Sequence, residues 1–222
     1  VPEHLSGPPR DQILDVSARL FTSRGYAATS TREIAEAVGI RQASLYYYFA
    51  GKGEILTELL GQTVRPTVDA VARIESLTDD PDAALYLVAL TDVRTLVRAP
   101  HNVGLLYFAA DVAQVEGFEE FTAARDEVAA TYARLATSVA TPELLDRVGS
   151  ARLGQKLVHT VEEVIGIRAS GRLLGTDEAV WMASSCLQLC GVDEARIEVA
   201  AKTADTLLDQ LDASASNDSA DT

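Results

Sequence analysis

Apolar residues recur at spacings of three and four along most of the chain, and no β-branched alternating run is long enough for a strand, so the pattern predicts an all-α protein. Ile13, Leu14, Ala18, Leu20 and Phe21 form the stripe of a first helix, which Gly25 is suited to end. Ser30 stands three residues before Glu33 and just ahead of Ile34, Ala35 and Val38, the signature of a capping box opening a short helix. Gly39 closes that helix and a second short one follows from about Gln42 to Phe49. Two short helices joined by a tight turn containing glycine make a helix-turn-helix. A long helix is predicted from Lys52 towards Ile74, bent at Pro66. Further helices are predicted over 81–99, 102–114, 116–139, 143–171, 176–190 and 193–212, with Gly149, Gly154 and Gly166 interrupting the fourth of these.

These elements divide the chain. Residues 1–8 are polar and proline-bearing and are expected to be disordered, as are the small, polar and acidic residues 213–222. Between them lie a three-helix helix-turn-helix domain over 9–52 and a larger helical domain over 53–212.

Composition adds limits. The chain has 222 residues, 47% of them hydrophobic, and a net charge of −14. That charge argues against nucleic acid as a partner, but its distribution does not. Residues 1–52 carry Arg10, Arg19, Arg24, Arg32, Arg41 and Lys52 against Glu3, Asp11, Asp15, Glu33 and Glu36, so the acidity belongs to the rest of the chain. No uninterrupted apolar run reaches about 18 residues and the first twenty carry charge throughout, so neither a membrane span nor a secretory signal is expected and the chain reads as cytoplasmic. Cys186 and Cys190, four apart in a helical stretch, read as small buried hydrophobes; a thiol sensor or soft-metal site is the alternative. No glycine-rich phosphate loop, His-Glu-x-x-His, Gly-x-Ser-x-Gly or metal-ligand cluster occurs, so neither an enzyme, a metal site nor a cofactor is expected.

The segment GIRQASLYYYF, Gly39 to Phe49, places four aromatics in one short helix. Leu45 and Phe49 share a face with Tyr48 beside them, and that face packs on the preceding helices. Arg41, Gln42, Ala43, Ser44 and Tyr47 point away from it, with Tyr46 on the flank. Tyr46 and Tyr47 are adjacent and cannot both face one core, so at least one is exposed and free to meet a partner. Tyrosines bordering a groove-entering helix can lay a ring on a sugar and donate to a phosphate.

The stretch from Phe21 to Leu56 resembles the DNA-binding domain of TetR-family transcriptional regulators. Phe21, Gly25, Thr29, the Ser30/Thr31 helix start, Ile34-Ala35-Val38-Gly39-Ile40, Leu45 to Phe49, Lys52 and Leu56 carry the likeness. The resemblance implies a repressor released from a palindromic operator by a small-molecule effector. It implies that Arg41, Gln42, Ser44 and Tyr47 lie nearest the base edges and that Thr31, Tyr46, Tyr48 and Lys52 hold phosphates. Arg pairs with guanine and Gln with adenine in two-bond geometry, though either can hold a phosphate instead. Arg41 departs from the Ser or Thr that commonly caps the family's recognition helix, and it has no acceptor for the free N–H groups.

A TetR-like head also implies a helical body that forms a homodimer and holds the effector. The 176–190 helix is apolar on nearly all sides and the 193–212 helix bears one stripe, so a two-fold four-helix bundle from these two is expected, with Gln155–Arg168 the alternative contributor. Tyr86, His101, Tyr107, Phe108, Phe118, Phe121, Tyr132, His159 and Trp181 are candidates to line a largely apolar effector pocket. His159 precedes Glu162 and Glu163 at helical spacing, so an imidazole and a carboxylate can share a face. A helical ligand carrier or catalyst without DNA contacts is the rival reading.

Overall fold

Ser30 caps its helix in both directions, its hydroxyl accepting from the Glu33 N–H at 3.2 Å while its own N–H donates to Glu33 Oε2 at 2.9 Å. The Ser30 hydroxyl also donates to Glu33 Oε2 at 2.8 Å, and this bond first, with the Ser30 N–H second, holds the Glu33 carboxyl below its usual range. That cap begins α2 (Thr31–Val38), which follows α1 (Pro9–Arg24) and precedes α3 (Gln42–Tyr48) in the computed structural model. The structure describes residues 9–172 and 176–218. Between α2 and α3 the chain reverses at Gly39, whose φ of 82° favours glycine.

The described fold divides into two units. The first comprises the described residues up to Thr63 together with Arg98–Ala124. The head expected over 9–52 is therefore part of a larger body that includes a segment from much later in the chain. Its core gathers Ile13 and Phe21 of α1, Ile34 of α2 and Leu45 of α3 with Phe49, each 2% exposed or less. Each such side chain contributes about 1.5–3 kcal/mol of burial. The face carrying Leu45 and Phe49 is thus the packed one, and Arg10 lies over the Phe49 ring at 5.0 Å.

The segment predicted as a helix over 102–114 is instead a 3₁₀ stretch, Pro100–Phe108, followed by tight turns. His101 and Asn102 sit at φ 51° and 53°, which breaks any α-helical ladder at its start. The turns close by bonds three residues apart, Val112 N–H to Ala109, Val115 N–H to Val112 and Phe118 N–H to Val115. The 3₁₀ stretch packs on α1. Asp111 accepts from the Ala27 N–H at 2.8 Å.

The second unit comprises Val64–Val97 and the described residues from Arg125 onward. Helix α4 (Lys52–Leu77) runs without interruption through Pro66, and both it and α6 (Phe118–Val139) contribute residues to both units. Every residue of α5 (Pro81–Arg98) from Asp82 to Leu90 is buried, which makes α5 the unit's central helix. The predicted 143–171 helix is broken into α7 (Pro142–Val148) and α8 (Ser150–Ala169). Gly149 at φ 80° and ψ 141° separates them, a conformation no helix continues through, while Gly154 and Gly166 stay inside α8. Helices α9 (Thr176–Leu189) and α10 (Glu194–Asp218) pack on each other.

Helix α10 extends past the predicted end at 212, so residues 213–218 are helical rather than disordered. Alanines at 213 and 215, with no Gly or Pro to stop the helix, favour its continuation. Residues 1–8 and 219–222, also expected to be disordered, lie outside the described residues. Cys186 and Cys190 are free and fully buried, and burial pushes both thiols up, Cys190 to about 12.

Candidate nucleic-acid interface

Helix α3 exposes one side of its short length. Arg41, Gln42, Ala43 and Ser44 are exposed, Tyr46 is 49% and Tyr47 85% exposed, and Tyr48 is half-buried with its ring edge-on to Tyr47 at 5.2 Å. The adjacent tyrosines therefore both reach solvent, because the core positions of this helix are taken by Leu45 and Phe49. Arg41 makes no side-chain cap bond. The first backbone closures of α3 come instead from its carbonyl, which accepts from the Ser44 N–H at 2.8 Å and the Leu45 N–H at 3.3 Å.

Three polar side chains on this surface bond to one another. Gln42 Nε2 donates to Thr31 Oγ1 at 3.0 Å and to the Tyr46 hydroxyl at 3.4 Å, and the two hydroxyls lie 3.2 Å apart. The start of α2 is thereby tied to the outer face of α3. Sequence periodicity does not foresee this link, since Thr31 and Gln42 are separated by 11 positions and belong to different helices.

Lys52 differs from its expectation. Its ammonium donates to the carbonyls of Tyr26 and Thr29, both at 3.0 Å, and lies 4.3 Å from the Tyr26 ring centroid. Two of its three donors thus fasten the start of α4 to the loop after α1, so this lysine is a structural clamp with one N–H to spare. It borders a shallow depression of about 420 Å³ lined by Ala27 to Thr31, Tyr46, Ala50, Gly51 and Lys52. Ser30, Thr31 and Tyr46 bring hydroxyls to the same depression.

The residues expected to line an effector pocket fall into different surroundings. His101, Tyr107, Phe108, Phe118 and Phe121 belong to the first unit, and Tyr86, Tyr132, His159 and Trp181 to the second. His101 bonds Asp15 Oδ1 through Nε2 at 2.9 Å. The Tyr107 hydroxyl donates to Thr63, and the Tyr107 ring packs against Phe121, itself next to Phe118. Phe108, Trp181 and His159 are exposed. Glu162, offered above as a partner of His159, turns inward instead and takes a two-bond pair from Arg125 at 2.6 and 2.7 Å. A buried carboxylate is held more firmly by a guanidinium fork than by an exposed imidazole.

Sequence reasoning missed the polar cluster inside the second unit. Thr67 of α4 and Tyr132 of α6 both donate to Asp92 of α5 at 3.1 Å. The one available signal was Asp92, an acid within the apolar middle of α5. Among the described residues no group of His, Cys, Asp or Glu is arranged to hold a metal ion, and no helix is long and apolar enough to cross a membrane.

Residues 13–59 match the family model described as bacterial regulatory proteins, tetR family. The chain is 31% identical over 113 residues to the HTH-type transcriptional repressor KstR2 of Rhodococcus jostii, a match covering 51% of this chain. It spans about half of that relative's length, 54%. Over nearly the whole fold it is similar to the crystal structure of AmtR from Mycobacterium smegmatis, with TM-score 0.80 and 31% identity across 93% of this chain and 98% of that one. AibR, solved in complex with isovaleryl coenzyme A and operator DNA, shares the fold at TM-score 0.64 and 19% identity, covering 80% of this chain and 97% of that one. With the family's DNA-binding module at residues 13–59 and a chain-long match at 31% identity, this protein belongs to the TetR family.

Proposed function

We propose that the protein is a dimeric transcriptional repressor of the cytoplasm that reads a palindromic operator through α3 and leaves it when a small, largely apolar effector binds the second unit. The observation that carries this reading is the exposed row along α3, in which Tyr46 and Tyr47 stand out of the core beside Arg41, Gln42 and Ser44. A packing role leaves two adjacent exposed phenols without explanation, whereas a duplex supplies sugars and phosphates for both. In this reading Arg41, Gln42, Ser44 and Tyr47 face base edges, and Thr31, Tyr46 and Tyr48 hold the backbone. Lys52 adds its remaining N–H to a phosphate lying over the depression beside it.

Dimerisation through α9 and α10 is supported by Val180 and Trp181 on α9 and Val199 on α10, which are 46%, 57% and 57% exposed in the single chain. The outward residues of α8, Gln155, Lys156, His159 and Glu163, are polar, which disfavours it as the main contributor. A two-fold axis through α9 and α10 would repeat the reading head and require a palindromic site.

AibR binds both isovaleryl coenzyme A and operator DNA, so one protein of this fold serves both ligands. Tyr86 and Tyr132 are the two expected pocket residues buried in the second unit here, and we assign the effector to that unit. Binding of effector and DNA would oppose each other by linkage, with α4 and α6 as connectors because each has residues in both units.

Selection of bound duplexes from a random pool tests the reading. A palindromic site whose affinity falls steeply with salt is expected. Failure to enrich any sequence, at low salt and with cell extract supplied as a source of effectors, would contradict it.

A further inference from the structure

We infer that Gln42 meets DNA as a hydrogen-bond acceptor only, reading one exocyclic amino group through Oε1 instead of the paired N6 and N7 of an adenine. The inference rests on the DNA-reading function proposed above and adds to it the chemistry of one contact.

A glutamine amide offers two N–H donors and one carbonyl acceptor. The two-bond reading of adenine uses one of each, the carbonyl taking the N6 amino hydrogen while the amide N–H reaches N7. In this protein both donors are engaged within the head, since Nε2 lies 3.0 Å from Thr31 Oγ1 and 3.4 Å from the Tyr46 hydroxyl. Oε1 takes no hydrogen bond among the described residues.

The holding groups are themselves fixed. Thr31 is the first residue of α2, whose start is closed by the Ser30–Glu33 capping box. Tyr46 lies one turn beyond Gln42 on α3. With the two hydroxyls 3.2 Å apart, one donates to the other and the remaining hydroxyl hydrogen is free for a phosphate oxygen. The triangle therefore presents an acceptor to the groove and a donor to the backbone; turning the amide around to offer Nε2 outward would make both hydroxyls donate to Oε1, giving up the bond between them and the hydrogen left for phosphate.

The test begins with the operator recovered by selection. Comparing wild type with Gln42→Ala on all single-base-pair variants locates the pair that depends on Gln42. The purine of that pair is then replaced by its 7-deaza analogue, which lacks the N7 acceptor and keeps the exocyclic group. Wild-type affinity is expected to change by less than about twofold, because no donor of Gln42 reaches N7, whereas a two-bond contact loses about tenfold. In the Thr31→Val/Tyr46→Phe variant the amide is released, and the 7-deaza substitution is expected to cost about tenfold.

A tenfold loss for wild type on the 7-deaza duplex would overturn the inference without any variant being needed. So would a Gln42→Ala protein that ranks every operator variant as wild type does. Both results leave DNA reading itself intact, whereas failure to recover any operator would remove that function and this inference together.

Discussion

Tyr132 on α6 donates its phenolic hydrogen to Oδ2 of Asp92 on α5, 3.1 Å away, in the core of the second unit, while Thr67 donates to the other oxygen. Burial pushes the Asp92 carboxyl up to about 7, Glu162 adds to that, and the two hydroxyl bonds and Arg125 oppose it. The folded state therefore holds a proton that the unfolded chain, with an ordinary aspartate near about 3.9, has released. Stability from this group falls as pH rises from about 4 to about 7, by at most on the order of 4 kcal/mol, and is flat above. Asp92→Asn keeps a neutral side chain there and is expected to gain on wild type across that window. Urea unfolding of both proteins between pH 5 and 8 measures the gain, and a difference constant with pH would contradict it.

Arg125 and Glu162 form a second polar link within that core, with Glu162 8% and Arg125 24% exposed at the side chain. Arg125→Met leaves the carboxylate buried without its partner and is expected to cost about 3 kcal/mol of stability, most of it recovered in Arg125→Met/Glu162→Leu. Thermal or urea unfolding of the single and double variants reads this directly.

Gly154 of α8 lies directly against the backbone of α6. A β-carbon there would come within 2.7 Å of the Ala129 carbonyl oxygen and of the Ala133 nitrogen, both backbone atoms that cannot swing aside. Although alanine favours helix, Gly154→Ala is expected to lower stability by about 1–3 kcal/mol as the helices part. An unchanged unfolding midpoint would show that the helices separate without cost.

Tyr47 and Lys52 separate contact from clamp. Tyr47→Ala removes an 85% exposed ring and is expected to leave the unfolding free energy within about 0.5 kcal/mol while lowering operator affinity about fivefold or more. Lys52→Ala strips the donors from the Tyr26 and Thr29 carbonyls and is expected to cost about 2 kcal/mol of stability in addition to affinity. Chemical denaturation beside fluorescence anisotropy on the selected duplex distinguishes the two.

The first three helices were legible in the sequence because their signals are local: the Ser30–Glu33 cap, the glycine at 39, and Leu45 and Phe49 one turn apart. Helix α5 was legible as a helix, but its central position was not, because burial depends on which neighbours surround it. The 3₁₀ stretch escaped because its local signal is weak: His101 and Asn102 tolerate the left-handed region better than most residues, but neither requires it. The same limit explains the side chains. An exposed Tyr47 follows from its adjacency to Tyr46, whereas the ties of Lys52 to Tyr26 and Thr29, of Gln42 to Thr31, and of Glu162 to Arg125 join positions far apart in sequence. Only the folded chain brings those partners together.

Hydroxyl-radical footprinting of the wild-type protein on its selected duplex, with the complex's mass measured in parallel, tests most directly whether two copies read DNA through α3. Two protected patches are expected on one face of the duplex, their centres about 10–10.5 base pairs or a multiple apart, with both weakened in Tyr47→Ala at a protein concentration near the wild-type Kd. A single patch from one copy, or two patches undiminished in Tyr47→Ala at that concentration, would contradict it.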